Sequence, residues 1–542
     1  MNLLLRILLI VTSVAGLPAS AAQYDVVIHG GRVMDPETGL DAVRNVGIRG
    51  DRIVTITTAP LNGAETIDAT GYVVSAGFVD LEQHGLDPWS IKVNLRDGVT
   101  TQMDLELGAL NIAEWYAAKE GKTQANFGTT AGQEYARMRV HDDMPLEGPE
   151  VSMPFSLMRH RSKSIEDGVD GWSVTRSTVD QIDEIHLILD EELRQGALGI
   201  GSTIGYAAKG INTYEMYTSQ KLAAAYGRLT SVHHRFHPSR TPPTEAQIGA
   251  KELIANAMTL NAPLQIHHDN DHGWWENQEL MADARAQGYN IWATYYPWIA
   301  GAGNYGAAIV QPGIWQDLMG YRYEETIFDP QLDRFMNKEE FLEMARREPG
   351  RTLIAYSPPR KKWLPEWTKI EHFIIASDGM PGLNQEGQFL DWDSAYEDYA
   401  GHPRTAGSHA ALLRIARENN VPLMHSLSQL SYWPAKHLGD TGLNAMQERG
   451  RMQEGMVADI VVFDAEDVRE NATFKARNQG LPSSGIPHVL VSGQVVVRDA
   501  VVQKNFPGRA IRFPVEETGR YSSLQKDTDR LKRLTETFIE QN

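Results

Sequence analysis

The rhythm of apolar and polar positions changes twice along the chain. From Tyr24 to Ser75 short apolar runs are cut by turn signals. Asp25-Val-Val-Ile28 leads into Gly30-Gly31, Asp35-Pro36 marks a turn, and Asn45 to Ile56 predicts a hairpin turning at Arg49-Gly50-Asp51-Arg52. The same texture returns late, in Ala458 to Phe463, His488 to Val491 and Gln494 to Val497, the last two separated by Ser492-Gly493. A β-rich domain assembled from both chain ends is the economical reading. Between the ends, short apolar strands alternate with helical stretches, the signature of a parallel sheet. Strands are predicted near Ala76–Asp80, Val99–Glu106, Asn126–Thr129, Ala197–Ser202, Leu229–His234, Pro263–His268, Ile291–Pro297 and Phe373–Asp378. Eight parallel strands in an α/β chain predict a (β/α)8, TIM-like barrel whose chemistry sits at the C-terminal strand ends.

The pattern sets these boundaries: a β half at 23–75, a barrel at 76–440, a second β half at 441–515 and a helical tail at 516–542. Leu524, Leu531, Leu534 and Phe538 share one face of the tail, which suits docking. The interval of about 298–372 is too long for one βα connection and is expected to fold as an insertion over the barrel mouth, with Arg351–Tyr356 as an extra strand.

Length and composition narrow the picture. At 542 residues the chain is too long for one compact core. Its 42% hydrophobic and 22% charged residues are ordinary globular usage. A formal charge of −19 argues against general nucleic-acid binding, which needs a basic surface to release counterions. The absence of cysteine excludes disulfides, thiolate metal ligands, thiol nucleophiles and lipoprotein anchors. Residues 1–22 read as a signal peptide: Arg6 precedes the apolar run Ile7 to Val14, and Ala19-Ser20-Ala21-Ala22 offers small-residue cleavage sites. The expected location is therefore exported, periplasmic or secreted. No later apolar run has the ~18 residues a spanning helix needs, so no membrane segment is expected in the mature form.

Chemistry-bearing residues gather where strands end. The first barrel strand ends Asp80-Leu-Glu82-Gln-His84 and the second Asp104-Leu-Glu106. The fifth ends His233-His234-Arg235, the sixth His267-His268-Asp269 and the eighth Ser377-Asp378-Gly379. Residues two apart on a strand share a face, so Glu82 and His84 can point together. Imidazoles and carboxylates converging on the barrel axis suit Zn²⁺ or another divalent first-row metal. A nucleophile elbow and a Walker loop are both missing from the chain.

At these residues the chain resembles the amidohydrolase superfamily, and within it the D-aminoacylases, most closely the N-acyl-D-glutamate deacylase branch. The resemblance runs in order through Asp97-Gly-Val-Thr-Thr101, Asp104-Leu-Glu106, Gly196-Ala-Leu-Gly199 with Tyr206, and His233-x-Arg235. It continues through Tyr296-Pro297 with Ala300-Gly301, Ala376-Ser-Asp-Gly379, His402-Pro-Arg404 with Ala406-Gly407, and the run Lys436 to Phe463. It implies a (β/α)8 barrel with a β-sandwich built from both chain ends. It implies hydrolysis of the N-acyl amide of an N-acyl-D-amino acid, with D-glutamate one candidate, using one or two divalent ions such as Zn²⁺.

By the resemblance the metal ligands are Glu82, His84, Glu106, His233, His268 and Asp378, with His268 matching better than His267. Asp378 is also the catalytic proton shuttle. Arg404 is implied as the α-carboxylate reader and Tyr206 and Tyr296 as its neighbours; Arg235 is a further candidate cation if the substrate side chain is acidic. Two departures stand out: Glu82-Gln83-His84 replaces the usual His-x-His, and Glu106 stands where many members use cysteine. The strand-4 stretch Ala197–Ser202 has no Lys to carboxylate, which counts against the superfamily members that bridge two metals with one. The expected partner is a small N-acyl amino acid or peptide-like molecule. The rival readings are another amidase or dipeptidase of the superfamily, and a ligand-binding barrel with a degenerate metal site.

Overall fold

The computed structural model describes residues 23–144, 146, 161, 171–235 and 245–524. The signal-peptide reading of 1–22 and most of the predicted helical tail lie outside these residues.

Five strands open the chain: β1 (Tyr24–Asp35), β2 (Leu40–Arg49), β3 (Arg52–Thr57), β4 (Gly63–Asp68) and β5 (Val73–Ala76). The β2–β3 hairpin pairs Arg49 with Arg52, closing the predicted Gly50-Asp51 turn. Barrel strands follow: β6 (Phe78–Asp80), β7 (Val99–Ala109), β8 (Asn126–Gly132), β9 (Gly199–Ser202), β10 (Leu229–Val232), β11 (Leu264–Ile266) and β12 (Ile291–Tyr295). The insertion then contributes β13 (Ala300–Asn304), β14 (Ile327–Asp329), β15 (Arg334–Phe335) and β16 (Thr352–Tyr356) as a separate antiparallel sheet. The chain returns to the barrel with β17 (Phe373–Ile375) and ends in β18 (Ile460–Phe463), β19 (His488–Val491), β20 (Gln494–Arg498) and β21 (Val501–Val502).

The eight barrel strands form one parallel sheet in the order β17-β12-β11-β10-β9-β8-β7-β6. All eleven residues of β7 are buried, as expected of a strand covered on both faces. The seam between β17 and β6 closes just beyond the strands. Gln83 bridges Gly379, the His84 amide donates to the Gly379 carbonyl (2.8 Å), and the Ser377 amide donates to Asp80 Oδ1 (3.1 Å). The two chain ends meet in a nine-stranded sheet where β5 pairs antiparallel with β18, Ala76 opposite Ile460. Its core of Val26, Ile28, Val46, Ile48, Val74, Ile460, Val462 and Leu490 is separate from the barrel's.

The tail departs from expectation in its described part. Residues 516–524 contain no helix. They are fixed instead by polar contacts to the helix Val179–Arg194: the Arg520 and Tyr521 amides donate to Asp190 Oδ1, and the Leu524 amide to Asp183 Oδ1. No helix among the described residues is long and apolar enough to cross a membrane.

Candidate metal centre and carboxylate site

Five strand ends deliver their polar residues to one place at the barrel mouth. Glu82 and His84 follow β6, Asp104 and Glu106 lie on β7, His233 follows β10, His267 and His268 follow β11, and Asp378 follows β17. His268 and Asp378 have left-handed backbones (φ 32° and 49°), rare for non-glycine residues and found where a site over-determines the chain.

Glu106 is the hub. Its Oε1 is 3.1 Å from His233 Nδ1, and its Oε2 is 3.6 Å from His84 Nε2 and 3.7 Å from His268 Nε2. His84 Nε2 is also 3.4 Å from Asp378 Oδ1, while its Nδ1 lies 3.2 Å from Asp104 Oδ2. Glu82 Oε2 accepts the Thr294 hydroxyl (2.8 Å) and lies 2.9 Å from His267 Nδ1. Glu82 Oε1 has no hydrogen-bond partner and is 3.7 Å from His268 Nε2.

Four overlapping triads each bring one ligand atom per residue within 4.8 Å of one another: Glu106-His233-His268, Glu82-His268-Asp378, Glu82-Glu106-His267 and His84-Glu106-Asp378. The six residues expected as ligands are thus all brought together. His267, set aside in favour of His268, joins them, because the strand ends at Ile266 and alternation no longer separates neighbours.

The electrostatics of this cluster call for a cation. Burial, reinforced by Asp378 and Glu106, pushes the Glu82 carboxyl well above the usual range. Burial also raises Glu106, but hydrogen bonds from His233 and His84 outweigh it and hold that group well below. Burial opposes charge on His84, yet Asp104 holds its pKa well above normal. Burial and then His233 push His268 well below, and burial takes His267 to about 3. Metal ligands must be ionised carboxylates and neutral imidazoles, so a divalent cation would relieve the carboxylate crowding, displace the proton that Asp104 favours on His84, and suit His267 and His268, which burial favours as neutral rings. With the unpartnered, buried Glu82 Oε1, the donor set of nitrogen and oxygen fits Zn²⁺. Asp104 can orient His84, the outer carboxylate that metal-bound histidines commonly use.

A cationic wall stands beside the cluster. Arg404, 2% exposed, opens the helix Arg404–Glu418 and places Nη1 2.7 Å from Asp378 Oδ2. Its amide donates to His402 Nδ1 (3.0 Å), and His402 Nε2 donates to the Ala300 carbonyl (3.0 Å), which ties the His402-Pro403-Arg404 run to the insertion. The Arg404 guanidinium sits 4.9 Å from the Tyr296 ring, and the Tyr296 hydroxyl accepts from Arg360 Nη1 (2.9 Å). Tyr206 packs its ring 4.6 Å from that of His233 and carries the Arg161 guanidinium on its face.

Arg235 does not join this wall. It pairs with Glu252 (2.7 Å) and donates to the carbonyls of Ala208 and Ile211. β10 ends at Val232, so Arg235 does not inherit the facing of His233. Sequence reasoning did not select Arg360, Arg161 or Asp104. Asp104 had a signal, since it shares a strand face with Glu106; the two arginines had none.

No protein-family model matches the chain. The chain is 25% identical over 514 residues to an N-acyl-D-glutamate deacylase of Alcaligenes xylosoxydans xylosoxydans, covering 90% of this chain and 97% of that protein. It is 22% identical over 515 residues to a D-aminoacylase of the same organism, with the same coverage. Among solved structures, the N-acyl-D-glutamate deacylase from Bordetella bronchiseptica, complexed with zinc and a phosphonate inhibitor that mimics the tetrahedral intermediate, shares the fold. Its TM-score is 0.71 at 19% identity, covering 90% of this chain and 100% of that one.

Proposed function

We propose that this chain, whose homologues and fold neighbours are deacylases of the amidohydrolase superfamily, hydrolyses the N-acyl amide of an N-acyl-D-amino acid in a metal-dependent reaction. The observation that carries the reading is the adjacency of the ligand cluster to Arg404, joined by the 2.7 Å contact between Arg404 and Asp378. The site can then hold a carboxylate beside an amide placed for hydrolysis.

His233, His268 and Glu106 would hold one ion; His84, Glu82 and Asp378, sharing Glu106, would hold a second. A bound divalent ion would polarise the amide carbonyl and lower the pKa of water. The chain's own residues do the rest. Arg404 offers a planar fork for the substrate α-carboxylate. Tyr296 and Tyr206 wall the position and limit water. Asp378, at the mouth, accepts a proton from the attacking water and returns it to the leaving amine, so that the C–N bond breaks as the new C–O bond is kept. The products are a carboxylate and a free amino acid.

A panel of N-acyl amino acids in both chiralities, run together with elemental analysis, tests this. About one or two divalent ions per chain and faster turnover of D-substrates are expected. The metal content should collapse in a His233→Ala, His268→Ala double variant. Metal-free protein with undiminished hydrolysis sinks the metal role, and L-substrates that outpace their D-partners sink the assignment of chirality.

The same reading extends to location. Arg6, the Ile7 to Val14 run and Ala19 to Ala22 support export, and N-terminal sequencing of the mature protein should begin at Ala22 or Gln23. An intact Met1 in the secreted or periplasmic fraction would contradict cleavage.

A further inference from the structure

Below the ligand cluster lies a buried histidine with no part in the chemistry above. His409 is wholly buried on the helix Arg404–Glu418, with its ring stacked on Phe78 at 6.0 Å. Its Nδ1 lies 3.1 Å from Asp97 Oδ2. Asp97 also accepts the amides of His409 (2.7 Å) and Ala410 (3.1 Å) and the Ser483 hydroxyl (2.6 Å), so its carboxylate is held by four donors. His409 Nε2 is buried, has no hydrogen-bond partner and faces Asp80 Oδ2 at 3.8 Å. Asp80 in turn accepts the amides of Glu82 (3.0 Å) and Ser377 (3.1 Å). One carboxylate therefore ties the residue before Asp378 to Glu82 itself, across the seam between β6 and β17.

We infer that His409 is a positioning residue for the metal centre, holding Asp80 in place and thereby setting the gap between Glu82 and Asp378. The inference rests on reading the cluster as a metal centre. A buried carboxylate that loses the group facing it is left under-packed and moves. Such a movement slackens its grip on the Ser377 and Glu82 amides. Ligands need placement within about 0.5 Å, so a small change at the seam reaches the metal. Burial opposes charge on His409, but the hydrogen bond to Asp97 and the nearby Asp80 raise its pKa above the ordinary imidazole value.

Two variants separate positioning from plain packing. His409→Asn keeps a donor where Nδ1 meets Asp97 and loses the group that faces Asp80. Asp80→Asn keeps the Oδ1 acceptor that both amides use and removes the charge together with the second contact from the Ser377 amide, to Oδ2 (3.2 Å). His409→Asn should unfold within about 4 °C of the wild type. The dissociation constant of the more weakly held zinc, read by chelator titration, should rise about 10–100-fold. The kcat should fall by a similar factor with KM changed less than about twofold. Asp80→Asn should give the same metal phenotype, and the double variant should lose less than the sum of the two.

Wild-type zinc affinity in either folded variant overturns the inference, as does full additivity. If neither variant folds, His409 is a stabilising core residue and the inference falls. Zinc titration needs no substrate, so it decides the role of His409 even where no N-acyl amino acid is turned over. A wild-type protein that binds no divalent ion instead overturns the metal reading on which the inference stands.

Discussion

Arg404→Lys tests the proposed role of Arg404 as carboxylate reader while conserving charge. Nη1 of the guanidinium forms an ion pair with Asp378 Oδ2 at 2.7 Å, and neither Nη1 nor the buried Nε has a hydrogen bond of good geometry. Arginine can therefore keep Asp378 and still present a second donor edge to a ligand. Lysine is a single ammonium point and cannot hold both partners in planar geometry. A hydrogen bond to a charged group contributes about 1.5–3 kcal/mol. Losing one should lower kcat/KM on free N-acyl amino acids by about 10–150-fold. Analogues whose α-carboxylate is amidated offer only a neutral partner worth ~0.5–1 kcal/mol, so they should fall by about two- to fivefold. The assay is amine release from N-acetyl-D-Glu, N-acetyl-D-Leu and their α-amides, with the metal content of both proteins matched. Equal losses on acids and amides would show that Arg404 acts only through Asp378 and does not read the substrate.

Asp378→Asn preserves shape and removes the proposed base, so kcat should drop by about 10²–10⁴-fold; near-complete activity would remove Asp378 from proton transfer. Glu82→His replaces a carboxylate that lies against His267 and His268, and should change metal stoichiometry or the ion retained; unchanged metal content and kinetics would make Glu82 a bystander. Acid sensitivity should come partly from His437, whose imidazole burial holds down at about 3 against ~6.5 in an unfolded chain. The unfolded state then binds more protons between these values, so stability present above pH 6.5 is lost as pH falls, by about 2–3 kcal/mol at pH 4.5. His437→Gln should narrow the gap between urea midpoints at pH 7 and 4.5; an unchanged gap would clear His437.

Much of the fold was legible because barrel strands are buried on both faces and read as continuous apolar runs. Phe373-Ile-Ile375 and Ile291 to Tyr295 are of this kind, and their polar residues follow at once. The convergence of Glu82, His84, Glu106, His233, His268 and Asp378 was legible for the same reason: a parallel barrel puts every such terminus on one rim. What the resemblance could not settle was the facing of residues past the last paired residue of a strand. It preferred His268 to His267, yet both approach Glu82, and it offered Arg235 as a candidate cation, yet Arg235 pairs with Glu252. Arg360 was invisible because its partners, Tyr296 and Asp271, are brought to it by the insertion, and no local spacing encodes an ion pair between segments so far apart.

The pairing of β5 with β18 has a consequence for biogenesis. Ala76 emerges about 380 residues before Ile460, its partner, and at about 5–20 residues per second the intervening chain takes about 20–80 s to synthesise. Through that interval the nascent N-terminal strands present an open edge whose amides and carbonyls can recruit a foreign strand. A ribosome-bound chain stalled ahead of Ile460 should therefore be captured by holdase chaperones or aggregate, and its release should track completion of the C-terminal segment more closely than completion of the barrel.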